Sequence, residues 1–388
     1  MTDIDNPVFG QFLQNAFYCV VANIVTIDQK RNSFFFFHRI TLASIKVRHI
    51  AEYTPASYIV TKGEHRGAVY AVFIYNRAQV TDFALIGTTH MKWILPIVFA
   101  LSLPGVLAAD QLQPMNIDHR IVLITGSTSG LGREVARTLA DAGDHVIIHG
   151  RSSERGESLV KELNAQRPGA ARFYQADFGS LADVRLLATE ITKDYPRLDV
   201  LINNAGIALI NDPVRRISQD GYELHFQVNY LSGFLLTDLL LPLLEKGKSA
   251  RIINVASGSA DPLDFDNLML ERDYSPWRAY GQSKLAQVMY TVDLSHKLRA
   301  RKITVNSLHP ATFMDTSMVL SLGVKPESSV MDGRDAVLHL VIDDNVGNGE
   351  FYDGLELSKT HAQAYNEAVR AQLWSVSEKL VNASQESR

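Results

Sequence analysis

From Ile121 onward the chain repeats one alternation six times, a short apolar run followed by an amphipathic stretch. The runs fall at 121–124, 145–149, 171–175, 200–202, 252–255 and 303–305. Runs that are apolar on consecutive positions leave no face for water, and strands separated by helical stretches cannot be joined by tight hairpins. The pattern predicts an α/β fold, a doubly wound parallel sheet with helices on both faces and right-handed crossovers between its strands. A composition of 46% hydrophobic and 21% charged residues supplies the core for such a sheet and excludes a disordered chain.

The first run empties into Thr125-Gly126-Ser127-Thr128-Ser129-Gly130-Leu131-Gly132, after which 134–142 reads as a helix. Glycine reaches positive φ without a steric penalty and admits close backbone approach, while the helix N-terminus presents unpaired N–H groups to an anion. Strand, glycine-rich turn and helix in that order form the cradle for a dinucleotide pyrophosphate in a Rossmann-type sheet. The second run ends in His149-Gly150-Arg151-Ser152. An acid there would serve the ribose hydroxyls of NAD, whereas the guanidinium of Arg151 suits a 2′-phosphate through its charge and bidentate fork. NADP(H) is therefore expected in preference to NAD(H), although Ser129 stands where a second basic residue would strengthen that choice.

The spacing Thr-Gly, three residues, Gly-X-Gly resembles that of the short-chain dehydrogenase/reductase family, and the likeness runs from residue 116 to at least 365. Asn203-Asn204-Ala205-Gly206 after the fourth run and Asp177-Phe178 after the third match further motifs of that family. The resemblance implies that Asn204, Ala205 and Gly206 border the adenosine part of the cofactor and that Asp177 and Phe178 meet the adenine ring. Leu308-His309-Pro310-Ala311-Thr312 resembles the family's Pro-Gly segment beside the nicotinamide, with Ala311 in place of glycine. Pro310 and either Thr312 or Thr316 are the implied contacts there, and His309 reads as structural.

Tyr280 and Lys284 lie four apart in a helical pattern over 279–299, so phenol and ammonium share one helix face. A free phenol titrates near pH ~10, and a neighbouring ammonium is expected to lower that by favouring the phenolate. By resemblance Tyr280 is the acid/base, Lys284 its tuner and a ribose contact, and Ser257 the serine that orients the substrate oxygen, with Ser259 as the alternative. Asn229, within 226–231, matches the family's fourth catalytic member, which supports a water linked to the lysine. The long insert between Ser257 and Tyr280, with Trp277, resembles the retinol-dehydrogenase-like branch, and the tail from Phe351 resembles bacterial members of that branch. Met314, Met318, Val319, Leu320 and Leu322, together with Trp277, predict an apolar substrate pocket.

The catalytic domain is expected over 116–388. Residues 1–90 form an extension without a recognised pattern beyond one alternation at 68–75, expected to be irregular around a single strand. Met91-Lys92 followed by 17 uncharged residues from Trp93 to Ala109 has signal-peptide architecture, which acts only at an N-terminus. The reading that follows is a translation start placed too far upstream. A start at Met91 predicts an exported or membrane-associated protein, with 93–109 as signal or anchor, and a start at Met115 a cytoplasmic one.

A net charge of -4 and the lack of a basic stripe with interleaved aromatics argue against nucleic-acid binding. Cys19 alone cannot make an internal disulfide, and no Cys/His cluster has metal-ligand spacing. The expected partners are a small-molecule alcohol or ketone and a second copy of the chain, in a homodimer or homotetramer. Two rivals remain from other classes. A non-catalytic NADP-binding regulator could use the same fold. A sugar-nucleotide epimerase would favour Thr-Gly-X-X-Gly-X-X-Gly and a longer C-terminal substrate region, neither of which occurs here.

Overall fold

The computed structural model describes residues 119–386 and, before them, three strands within 45–73. The chain divides into two units, Met1–Leu103 and Pro104–Arg388. In the first, β1 (Ile45–Tyr53), β2 (Ala56–Gly63) and β3 (Val69–Phe73) form an antiparallel sheet in that order. The alternation at 68–75 is thus β3, and the extension holds two strands besides it. The apolar segment 93–109 and both alternative starts lie outside the described residues.

The second unit opens with β4 (Ile121–Ile124), α1 (Gly130–Asp141), β5 (His145–Gly150), α2 (Ser153–Gln166), β6 (Ala171–Gln175), α3 (Leu181–Asp194) and β7 (Val200–Asn203). A wide helical turn at Phe226–Leu231 runs into α4 (Ser232–Leu244), followed by β8 (Arg251–Val255), α5 (Pro276–Leu298) and β9 (Thr304–His309). The chain closes with α6 (Ser317–Ser321), α7 (Val330–Ile342), the short strands β10 (Phe351–Asp353) and β11 (Glu356–Ser358), and α8 (Glu367–Glu386).

The sheet order is β11-β10-β9-β8-β7-β4-β5-β6, parallel throughout except for β11. Alternate side chains of each strand enter opposite layers. Val122, Ile124, Val146 and Ile148 pack under α1, α2 and α7, whereas Ile121, Leu123, Ile147 and Leu201 pack under α3, α4, α5 and α8. Phe226–Leu244 is apolar and long enough to span a membrane by composition, yet it serves as a core helix of the second layer, packed against α3 and α5.

Ser152, Ser180 and Ser275 start α2, α3 and α5 by accepting the backbone N–H three residues on, with Pro276 at the first position of α5. α1 differs: Ser129 supplies no side-chain cap and the first turn holds no acid. Its N-terminal amides therefore point outward without a side-chain acceptor, at the place where strand order reverses between β4 and β7.

Candidate active site

A cavity of about 470 Å³ opens at the carboxyl ends of the strands, with α1 at one side. The glycine-rich turn is shaped by contact. Gly126 has φ +66°, and a Cβ there would lie 2.8 Å from the Ala205 Cα; one on Gly132 would lie 2.5 Å from Asn204 Nδ2. Asn204 fills that space usefully, donating from Nδ2 to the carbonyls of Thr125 (2.8 Å) and Gly126 (3.3 Å). The turn and the β7 loop thus hold each other. A bare helix N-terminus behind a turn with no room for side chains fits a dinucleotide pyrophosphate.

His149 completes this support. Its Nδ1 accepts the Gly126 N–H at 3.2 Å, its Nε2 lies 3.3 Å from the Ala176 carbonyl, and its ring stacks on Phe178 at 4.5 Å. Burial drives its pKa down to about 4, so it acts as a neutral bracket for the turn. Sequence reading gave His149 no role; a histidine at the end of a buried strand next to a glycine turn was the available signal.

Thr128, Ser129, Gly130, Leu131 and Gly132 line the cavity, as do Arg151, Asp177, Phe178, Asn204, Ala205, Gly206, Pro310, Thr312 and Thr316. Ser127 does not. Its hydroxyl is buried, donates to the Ile124 carbonyl at 2.7 Å and accepts the His149 N–H at 3.1 Å, so its side chain serves the sheet rather than a ligand. Asp177 Oδ1 accepts the Gly179 N–H at 2.9 Å, shaping the loop after β6. Thr316 caps α6 and faces Gly130, while Thr312 Oγ1 lies 3.1 Å from His309 Nε2.

At the far end, Tyr280, Ser257 and Lys284 meet in the cavity wall. Ser257, rather than Ser259, is hydrogen-bonded to the Tyr280 phenol, and the Ser259 N–H donates to Ser257 Oγ at 3.1 Å. Lys284 Nζ donates to the Val255 carbonyl (2.9 Å) and to Gln287 Oε1 (3.0 Å), and stands 5.8 Å from the centre of the Tyr280 ring. Burial brings this ammonium down to about 7. Burial also raises the Tyr280 pKa, against the opposing hydrogen bond from Ser257. The sequence-based expectation of a lowered phenol is corrected here: the lysine spends its hydrogen bonds on Val255 and Gln287, so desolvation governs Tyr280.

Asn229 stands behind the wall. Its Oδ1 accepts the Ile207 N–H at 2.7 Å, and its Nδ2 donates to the Ile207 carbonyl at 3.1 Å and to Ser283 Oγ at 2.9 Å. Gly206 separates it from Lys284, since a Cβ there would lie 3.3 Å from Asn229 Oδ1 and 3.5 Å from Lys284 Nζ.

The family model for short chain dehydrogenase matches residues 120–326. The chain is 33% identical over 286 residues to retinol dehydrogenase 13 of Mus musculus, covering 68% of this chain and 84% of that protein. It is likewise 33% identical over 285 residues to polyprenol dehydrogenase of Danio rerio, over 68% of this chain and 86% of that one. A solved structure from Shigella flexneri, described as a short chain dehydrogenase complexed with NADP, is similar with a TM-score of 0.52 and 27% identity over 61% of this chain and 97% of that chain. The chain belongs to the short-chain dehydrogenase family.

It is an NAD(P)-dependent oxidoreductase of the retinol-dehydrogenase-like kind, acting on CH–OH groups and their carbonyls. The regulator and epimerase readings are not favoured. In this dehydrogenase the cavity is also lined by the apolar side chains of Met314, Met318, Val319, Leu322 and Trp277. Leu320 does not line it, being 57% exposed on the outer side of the short helix α6. Sequence reading missed Ile207, Ala208 and Ile210, which also line the cavity, because loop residues after a strand carry no periodicity to read, and Val228, which lines it from the helical turn Phe226–Leu231. It also missed Arg155, which lines the cavity from the first turn of α2, four residues after Arg151.

Proposed function

We propose that this dehydrogenase interconverts a bulky, largely apolar alcohol and its carbonyl, using NADP(H) in preference to NAD(H). The observation that carries the reading is one cavity lined by Arg151 and Arg155, by the apolar side chains of Met314, Met318, Val319, Leu322 and Trp277, and by Tyr280, Ser257 and Lys284. Arg151 and Arg155 are both exposed, and among the described residues neither guanidinium has a carboxylate or hydrogen-bond partner, so both are available to a 2′-phosphate. Arg155 supplies the second positive charge that Ser129 does not.

The bound nicotinamide supplies or accepts the hydride. The chain's residues manage the proton and the geometry. Tyr280, kept neutral by burial, donates its phenolic proton to the substrate oxygen during reduction and takes it back during oxidation. Ser257, already bonded to that phenol, holds the same oxygen. Lys284, buried beside Tyr280, would hold the ribose of the bound cofactor. Asn229, by clamping both polar groups of Ile207, keeps the proton route beside Gly206 in place. Residues 116–388 suffice for all of this, and residues 1–90 are read as dispensable.

A panel of aliphatic, aromatic, isoprenoid and sugar carbonyls, assayed by NADPH consumption, tests the substrate class. Apolar walls gain about 0.8 kcal/mol per buried methylene and leave sugar hydroxyls unpaired. Highest kcat/KM on the isoprenoid and aromatic members is expected. Highest kcat/KM on sugars would overturn the apolar reading while leaving hydride transfer intact.

A further inference from the structure

A buried acid–imidazole couple lies behind the substrate side of the cavity, outside the catalytic cluster. Glu223 and His225 are 0% and 1% exposed and do not reach the cavity themselves. Glu223 is anchored through its backbone, which bridges to Ile217. Its Oε1 lies 2.9 Å from His225 Nδ1, and its Oε2 accepts the Phe226 N–H at 2.8 Å. His225 Nε2 lies 2.9 Å from the Leu209 backbone nitrogen. An amide N–H only donates, so Nε2 is the acceptor and the ring proton sits on Nδ1, where it donates to Glu223. The carboxylate thereby selects the tautomer that can hold Leu209.

Four residues further on, Asn229 grips Ile207. Side chains four apart on a helix share one side, so this single helical turn holds the amides of 207 and 209 together. Between and beyond those amides, Ile207, Ala208 and Ile210 form the cavity wall. The His225 ring also stands edge-on to the Tyr280 ring, with centroids 6.3 Å apart at 83°. A buried carboxylate and imidazole are unfavourable core fillers unless fully bonded. Here they supply the acceptor without which the Leu209 amide would have none in that position.

We propose that Glu223 and His225 are positioning residues for substrate: they lock the 207–210 loop and seat the Tyr280 ring, so that a bulky substrate meets a fixed wall. The inference rests on the apolar-substrate reading above. His225→Phe keeps the ring's bulk but offers no acceptor, and His225→Gln restores one. Hydrogen exchange of the peptide spanning 207–210 is measured in both variants, with steady-state kinetics on the best carbonyl of the panel and NADPH titration alongside.

The phenylalanine variant is expected to exchange about tenfold faster in that peptide. Its KM should rise about tenfold with kcat within about twofold, and glutamine should restore both KM and exchange. NADPH affinity should stay within about twofold, because the loop borders the substrate end. Glu223→Gln, isosteric but uncharged, should move exchange and KM the same way by a smaller factor, and it decides the matter if the phenylalanine variant does not fold. Parent-like exchange and KM in the variants overturn the proposal. So does a parallel worsening of KM, kcat and NADPH affinity that glutamine does not rescue, the mark of a merely structural role. If the parent turns over no apolar carbonyl, the substrate reading falls, and the exchange result alone still decides the hold on the loop.

Discussion

Replacing Lys284 with methionine should stop turnover and make the stability difference between variant and parent depend on pH. The ammonium is buried, and burial lowers its pKa from 10.5 to about 7. A basic group whose folded-state pKa lies below its unfolded value binds its proton more weakly in the folded chain. The resulting destabilisation is full below about pH 7 and fades as pH rises toward 10.5. With these two values the cost is about 4 kcal/mol at pH 7 and about 1 kcal/mol at pH 9.5. Methionine removes it at similar volume but leaves the Val255 carbonyl and the Gln287 amide without their donor, a loss of about 1–3 kcal/mol each at most. That loss is the same at both pH values, so the difference between them isolates the buried charge. Urea denaturation of parent and Lys284→Met should give a stability difference that moves against the variant by about 3 kcal/mol between pH 7 and pH 9.5. A difference that does not change with pH, or that moves in the variant's favour as pH rises, would refute the claim that Lys284 is held desolvated for function at the expense of stability.

Arg151→Ala is expected to weaken NADPH binding at least about tenfold, or ~1.4 kcal/mol, with little effect on NADH, and Arg155→Ala to act in the same direction by a smaller factor. Titration of both cofactors checks this, and equal losses for the two would dissociate the arginines from the 2′-phosphate. A chain beginning at Met115 is expected to fold, bind cofactor and keep its activity, as read by circular dichroism and NADPH consumption. Insolubility of that shorter chain beside an active full-length one would make the early segment structural.

The sheet was legible because its signal is local and strong. Six apolar runs gave six of the eight strands, and β10 and β11 escaped because three-residue strands carry too little periodicity to stand out from a tail. The turn after β4 was legible through its glycines, yet Ser127, in its midst, turned inward because β4 ends on a carbonyl, that of Ile124, within reach of its hydroxyl. The apolar residues 314–322 look in sequence like one wall; α6 is a single short helix, and it sends Leu320 outward while Val319 packs in. Tyr280 and Lys284 were found by spacing, but the direction of the phenol's pKa depends on what else bonds the lysine, which spacing does not contain. Glu223 and His225 were invisible for the same reason: their meaning lies in the amide of Leu209, fourteen or more positions away in sequence.

The central claim is that Tyr280 moves the proton of an NADP(H)-linked alcohol/carbonyl reaction. NADPH oxidation with the best carbonyl substrate, compared for the parent and Tyr280→Phe at saturating cofactor, tests it most directly. The variant keeps the ring that packs against His225 and loses only the hydroxyl bonded to Ser257. The account predicts a kcat lower by about 10²–10⁴ with NADPH affinity within a few fold. Retention of more than about a tenth of the parent kcat would contradict it.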